Sequence, residues 1–230
     1  MFSIVSQLSF AICRYCTNAC IKKGCYKTIQ KYFCKQCHKY QQSFYTYKLT
    51  STTEDKNIVL LNNEGMSISS ISRYLHVAKT TVRRRLLLIS KTIATPIFTE
   101  TKQVYEVDEM QTFIGRNHPS CYKYITYAIN RTTKSIIDFI VGGRTKENIR
   151  KVIDKVLTLN PRKIYTDGLN IYPSLIATAI HCKFQYHTNT IERNNLGIRN
   201  SLKRLSRKTI CFSKSIIMLE ACFKILLWGG

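Results

Sequence analysis

Four cysteines and three acids are the residues here whose types and spacing can do chemistry. The cysteines come in two pairs, "CRYC" (13–16) and "CKQC" (34–37), joined by the longer arm that runs from Cys16 to Cys34. A two-residue spacer lets both sulfurs of a pair turn toward one point, and two such pairs complete a tetrahedral zinc shell with bonds of about 2.3 Å. Cys13, Cys16, Cys34 and Cys37 are therefore the expected ligands of a structural Zn²⁺. Cys20 and Cys25, in the arm between the pairs, are left over once that shell is closed. His38 adjoins Cys37 and is too close in sequence to serve. Arg14, Lys22, Lys23, Lys27 and Lys35 stand beside these thiolates in the chain, where they offset the charge and can meet phosphate.

The acids draw notice because acids are scarce: 13 Asp+Glu stand against 36 Lys+Arg, so the formal charge is 36 − 13 = +23. Asp108 lies in "QVYEVDEMQTFIG", Asp167 at the tip of "RKIYTDG" and Glu192 at the start of "TIERNNLGIRN". Three convergent carboxylates resist joint ionisation. Divalent cations remove that conflict, and Mg²⁺ (or Mn²⁺) takes hard oxygen ligands while keeping water. Two such ions about 3.5–4 Å apart stabilise the attacking and leaving oxygens of an in-line displacement. Asp108, Asp167 and Glu192 are thus the candidate metal-binding and catalytic acids for breaking a phosphodiester. Singly, each has a plainer reading. Asp167–Gly168 is a turn signal, and Glu192 a first-turn acid complementing a helix dipole. Asp138, in "SIIDFIV", sits mid-strand with no partner and is set aside.

The elements that must position these residues can be read along the chain. Such a basic excess, spread throughout, points to a nucleic-acid partner rather than a membrane. No run reaches the roughly 18 apolar residues that span a bilayer. The start, "MFSIVSQLSFAIC", lacks the basic region and cleavage pattern of a signal peptide. A cytoplasmic, nucleoid-associated protein follows, its cysteines kept reduced. Residues 1–50 read as a zinc ribbon, with the aromatic run 40–48 as its last strand.

Residues 51–92 read as a helix-turn-helix. Ile58, Val59 and Leu61 face inward from a first helix ended by Gly65, and Ser67 caps a second carrying Ile68, Ile71 and Leu75. A third helix, from Lys79, buries Val82 and Leu86. It turns Lys79, Thr80, Thr81, Arg83, Arg84 and Arg85 outward, a composition suited to base edges and phosphates. Residues 93–102 read as a linker.

Residues 103–230 give strand, strand, strand, helix, strand, helix, strand, helix, the order of a ribonuclease H-like α/β fold. Asp108 falls near the end of the first strand, with Glu106 on its face and Glu109 on the opposite one. The helix 145–159 buries Ile149, Val152, Ile153 and Val156; "NIYPSLIATAI" reads as a helix, "KFQYHT" as a strand, and 189–208 as a long basic helix capped by Asn189 or Thr190. In such a fold the first and fourth strands are neighbours. Asp108 and Asp167, far apart along the chain, would then meet, and Glu192, further on again, would reach them from the flanking helix. Gly168 leaves room for the partner's backbone.

"DEM" (108–110), "TDG" (166–168) and "IERNNLGIRNSLKRLSRKTICFSKS" (191–215) resemble transposases of the first insertion-sequence family, Asp-Asp-Glu enzymes of small bacterial mobile elements. The paired cysteines and the helix-turn-helix resemble that family's amino-terminal segments, so the similarity covers nearly the whole chain. It implies binding of double-stranded DNA at terminal inverted repeats and in the target, then cleavage and strand transfer by Asp108, Asp167 and Glu192. It also implies a homodimer or larger assembly on DNA. Family members are often made from two joined frames, and here both halves are continuous. Arg193 and Arg199 match the basic positions thought to assist the glutamate. Arg199 lies two helical turns beyond Glu192, and Lys203 extends that stripe toward phosphate. A non-catalytic DNA-binding regulator would need only residues 1–90, and a ribonuclease H-like nuclease would have less need of two reading modules.

Overall fold

A computed structural model describes residues 11–44, 52–183 and 189–229, with the side chains of 52, 53 and 189 left out. The chain divides into two compact units, Met1–Lys48 and Leu49–Gly230.

The first unit is an antiparallel sheet of four strands in chain order: β1 (Ala11–Ile12), β2 (Ala19–Tyr26), β3 (Ile29–Cys34) and β4 (Tyr40–Gln42). Of the expected last strand Tyr40–Gln42 pairs, the Ser43 amide donates to Gln30 O at 2.9 Å, and residues 45–48 lie outside the described residues. The buried cluster of this unit is Cys13, Cys20 and Cys34, with Cys16, Tyr32 and Cys37 packed against it. Among the described residues of this unit the buried hydrophobic cluster is made of cysteines, so the sulfurs occupy the place a core would fill. Each C-x-x-C pair is followed by a residue in the left-handed region, Thr17 (φ 58°) and His38 (φ 55°), which curls the chain back around the sulfurs.

The second unit opens with three helices, α1 (Thr52–Asn63), α2 (Ile68–Tyr74) and α3 (Lys79–Thr92). Gly65 (φ +73°) ends the first, and Ser67 Oγ accepts the Ser70 amide at 3.0 Å to cap the second. A five-stranded sheet follows in the order β7-β6-β5-β8-β9. Its strands are β5 (Val104–Phe113), β6 (Tyr122–Asn130), β7 (Ile136–Gly142), β8 (Lys163–Thr166) and β9 (His181–Lys183). The first three form an antiparallel meander, while β8 runs parallel to β5 and β9 parallel to β8. Helix α4 (Lys146–Leu157) buries Ile149, Val152, Ile153 and Val156 against one face. Helices α5 (Asn189–Ser201) and α6 (Ile216–Trp228) cover the other, over Met110, Ile125, Tyr127 and Ile129. Strand alternation thus supplies two separate cores from one sheet.

Helix α6 is apolar around most of its circumference and has to be covered twice. Leu219 and Phe223 meet the sheet, while Met218, Cys222 and Ile225 share a third core with Ile58, Ile71, Val82 and Leu86 of the helical trio. Asn62 Nδ2 donates to the Cys222 carbonyl at 3.2 Å inside this contact. The trio is therefore built into the larger body. Residues 93–102 also lie against it: Ile93 packs in the third core, Phe98 in the α4 core, and the Lys102 amide donates to Asn160 O at 2.9 Å.

Two expected elements differ, and a third falls mostly outside the described residues. "NIYPSLIATAI" contains one 3₁₀ turn, Tyr172–Ser174, where buried Tyr172 is tied to Glu109 of the sheet. The last described strand is His181–Lys183; the expected strand "KFQYHT" begins at its final residue, Lys183, and residues 184–188 lie outside the described residues. Helix α5 ends at Ser201 instead of running to 208. Leu202 turns extended (φ −110°, ψ 91°), and the chain folds back so that Arg204 donates to Ser213 Oγ at 3.2 Å.

Candidate active site

Parallel pairing sets the site. Val107 on β5 stands in register with Thr166 on β8, so the next residues, Asp108 and Asp167, emerge side by side. Asp108 lies mid-strand, not near the strand's end, because β5 runs on to Phe113. Asp108, Glu109 and Asp167 each offer a carboxylate oxygen within 4.8 Å of the others. Glu109 does point to the opposite face from Asp108, yet Asp167, just past the end of its strand, reaches both.

Each of these acids has its orientation fixed. Asp108 Oδ1 accepts the Glu109 amide at 2.7 Å, and Oδ2 accepts Asn195 Nδ2 at 2.9 Å. Burial, chiefly, holds its carboxyl above the usual range, and the neighbouring Asp167 and Glu192 carboxylates add to this. Asp167 Oδ1 accepts the Leu169 amide at 3.0 Å, so its turn role is also present, and Oδ2 faces Arg144 Nη2 at 3.3 Å. Glu109 is buried: Oε2 receives Arg144 Nε and Nη2 at 3.2 and 2.9 Å, and Oε1 receives the Tyr172 hydroxyl. Burial raises both the Glu109 carboxyl and the Tyr172 phenol.

Glu192 comes from the first turn of α5. It is not one of the three acids gathered within 4.8 Å; it lines, with Asp108, Asn195, Arg199 and Arg207, an open cleft of about 1030 Å³. Fully buried Glu106 fixes the start of that helix, its Oε2 accepting the Ile191 amide at 2.8 Å. Its other oxygen lies 3.2 Å from Arg131 Nε, an ion pair without hydrogen-bond geometry. Tyr127 adds a second tie, donating to Asn195 Oδ1 at 2.9 Å.

The basic residues sort unevenly. Lys79, Thr80, Arg83 and Arg84 are exposed on α3 and Thr81 is half-buried. Arg85 is not part of that outward face, for it grips both carboxylate oxygens of Asp55 on α1. Arg193 is exposed. Arg199 is drawn inward to the carbonyls of Leu205 and of Gln111, the latter at 2.9 Å. Lys203 is exposed, but it lies past the end of α5 and so extends no helical stripe. Gly168 has Lys183 Cε 3.4 Å from where a Cβ would stand, so the nearest neighbour there is a lysine stem.

Arg144, Tyr172, Asn195 and Arg207 were not expected. Only Asn195 carried a signal, standing three residues after Glu192 and so on its helical face.

In the first unit the sulfurs of Cys13, Cys16, Cys34 and Cys37 lie within 4.8 Å of one another. Cys13 and Cys37 are 3.6 Å apart, Cys16 and Cys34 3.4 Å. Tetrahedral zinc with bonds of about 2.3 Å has sulfur–sulfur edges of roughly 3.8 Å, and a disulfide would need about 2.05 Å. The Asn18 amide favours the Cys16 thiolate, lowering its pKa to about 6, while burial pushes Cys37 up to about 12. The four sulfurs form a shell of the size and donor type that fits zinc. Cys20 is buried beside the quartet and raised to about 11 by burial; Cys25 is exposed.

The IS1 transposase family model matches residues 103–226. Insertion element iso-IS1n protein InsB of Shigella dysenteriae is 34% identical over 120 residues, 51% of this chain and 88% of that protein. Insertion element IS1 2 protein InsB of Escherichia coli K12 is 31% identical over 111 residues, 48% of this chain and 65% of that one. IS1 protein InsB of Shigella flexneri is 30% identical over 111 residues, 48% and 83% of the two chains. A chain of the simian T-cell lymphotropic virus intasome in complex with PP2A regulatory subunit B56 gamma aligns at a TM-score of 0.38 and 15% identity, covering 73% of this chain and 66% of that one. That likeness is too slight to argue from. The segment matched by the family model is more than half the chain and holds every acid of the cleft, and the chain belongs to the IS1 transposase family.

Proposed function

We propose that this DNA transposase cuts and joins strands in the cleft over β5 and β8, with Asp108, Asp167 and Glu192 as its catalytic acids. The observation that carries this reading is the β5–β8 register, which sets two acids from distant parts of an acid-poor chain side by side. The strand order and the parallel central pair support the ribonuclease H-like reading of this unit.

Asp108 and Asp167 would hold Mg²⁺ or Mn²⁺, with Glu192 completing the set from α5. Burial, chiefly, with Asp167 and Glu192 adding to it, raises the Asp108 carboxyl, and a divalent cation would offset that crowding. When bound, such ions supply charge neutralisation and polarise the reacting phosphodiester oxygens. The protein's own part is orientation: Asn195 aims Asp108, Leu169 aims Asp167, and Glu106 sets α5 so that Glu192 overhangs the cleft. Exposed Arg193, Arg207 and Lys203 would bind flanking phosphates. Arg199, committed to two carbonyls, would instead fix the cleft wall.

Zn²⁺ on Cys13, Cys16, Cys34 and Cys37 would hold the first unit folded as a zinc ribbon. Helices α1 to α3 would act as a helix-turn-helix, with Lys79, Thr80, Thr81, Arg83 and Arg84 toward DNA and Arg85 holding α3 to α1. Both would read the terminal inverted repeats, and a homodimer or larger assembly would hold the two ends together. Among the described residues no helix is long and apolar enough to cross a membrane, and cytoplasmic, nucleoid-associated residence suits a DNA partner. The test is linear DNA carrying the element's ends, incubated with Mg²⁺ and either wild type or Asp167→Asn. Loss of strand breakage in the variant, with end binding kept, is expected; equal breakage by both would remove Asp167 from the chemistry.

A further inference from the structure

Five carboxylates crowd the cleft and its floor: Glu106, Asp108, Glu109, Asp167 and Glu192. Glu106 pairs with Arg131, and Glu109 pairs with Arg144, which also reaches Asp167 Oδ2 at 3.3 Å. For Glu106 the pairing is unsurprising, since its amide bond to Ile191 already occupies it. Glu109 is different. Its oxygen lies within 4.8 Å of oxygens of both Asp108 and Asp167, near enough to share a cation with them.

What keeps Glu109 out is a built arrangement. Arg144 leaves the sheet just past β7, and Thr145 starts α4 beside it, its hydroxyl accepting the Asn148 amide at 3.4 Å. Asn148 Nδ2 ties back to the Gly143 carbonyl at 2.9 Å, bracing the turn on both sides of the arginine. The guanidinium lies 5.5 Å from the Tyr124 ring centroid, takes Glu109 Oε2 with two N–H groups, and touches Asp167 Oδ2 with one. The Tyr172 hydroxyl takes the remaining Glu109 oxygen. Both ligand atoms of this buried acid are therefore spoken for before any cation arrives.

We propose that Arg144 is a positioning residue that withholds Glu109 from the metal, so that the cation is shared by Asp108 and Asp167 alone on the sheet. This rests on the reading that those two aspartates bind a divalent cation. A further carboxylate in the shell would add charge, and oxygen-ligand sites tighten with ligand charge. A cation held too firmly has less positive charge left for the reacting phosphate. Without Arg144 the positive group beside Asp167 is gone and Glu109 Oε2 is released toward the site. Loss of this arginine thus strengthens metal binding, the reverse of what loss of a merely structural side chain does.

The experiment measures Mn²⁺ binding to the DNA-free, zinc-loaded full chain from the electron paramagnetic resonance signal of free Mn²⁺. It compares wild type, Asp167→Asn, Arg144→Ala, Arg144→Gln and the double variant Arg144→Ala with Glu109→Gln. Removing a unit charge this close, and gaining a ligand, makes Arg144→Ala bind roughly tenfold tighter, while strand cleavage at saturating Mn²⁺ falls. Arg144→Gln shifts the same way by less and substitutes if the alanine variant does not fold. The double variant returns toward wild-type affinity. Unchanged or weaker binding by both Arg144 variants overturns the inference, provided wild type binds and Asp167→Asn does not. Equal binding by wild type and Asp167→Asn overturns the underlying reading of the cleft instead.

Discussion

The cysteine quartet and the carboxylate cleft are both places where like groups crowd together, and they are built in opposite ways. The quartet is local. Each half is a single C-x-x-C turn, closed by one left-handed residue, and the buried cluster of the described residues around it is made of cysteines. The cleft is made by distant chain segments. Its acids meet because β5 and β8 pair, and two substantial cores hold that sheet with or without a cation. On the function proposed above, the first site needs its metal to fold and the second needs it only to work.

Removing the metals gives the largest contrast. Chelating zinc, or Cys34→Ser, is expected to unfold the first unit, since folding and binding free energy are one quantity there, about 10–16 kcal/mol for small zinc domains. Amide exchange across β2 and β3 would rise toward the unfolded rate, while Cys25→Ser leaves it unchanged. Protected strands after chelation would break the comparison.

On the acid side, Asp108→Asn is expected to lower strand cleavage by roughly 10³-fold or more, as loss of an ion that neutralises the transition state implies. Its melting temperature should hold or rise, because a buried charge disappears. Asn195→Ala, which frees Asp108 Oδ2, should cost roughly 10–100-fold in cleavage, as loss of a ligand's hydrogen-bond partner does. Measured single-turnover rates on end-bearing DNA check both.

The smallest effect isolates burial from metal binding. Asp138 on β7 is also raised, by burial against the lesser opposing pulls of the Phe139 amide and Lys155. A carboxyl whose folded pKa is raised favours the folded state below its ordinary value of 3.8, and that stability is lost as pH climbs through the raised pKa. Asp138→Asn should therefore be slightly more stable than wild type at pH 7, read as a small rise in melting temperature. It should gain nothing at pH 3, and Mg²⁺ should not alter the difference. A magnesium-dependent shift would mean that burial alone is not what distinguishes Asp138 from the cleft acids.

These contrasts explain what was legible in the amino-acid sequence. The quartet was, because its spacing is local chemistry. Helix α4 was, because Ile149, Val152, Ile153 and Val156 repeat with the helix, and element order alone brought Asp108 to Asp167. Pairings between side chains were not. Nothing in "GGRTKEN" announces that Arg144 meets Glu109, and Arg85 reads as one more outward arginine until Asp55 is placed beside it. The breaks at Pro173 and Leu202 depended on buried Tyr172 and on the Arg204–Ser213 contact. Periodicity carries neither.

Changing the softness of one ligand tests the shared-cation account most directly. Asp167→Cys places a thiolate where hard Mg²⁺ binds poorly and softer Mn²⁺ binds better. Cleavage of end-bearing DNA by this variant should nearly vanish in Mg²⁺ and recover at least about tenfold in Mn²⁺, beyond any change shown by wild type. An equal loss in both metals, or wild-type cleavage in Mg²⁺, would mean that Asp167 touches no cation there.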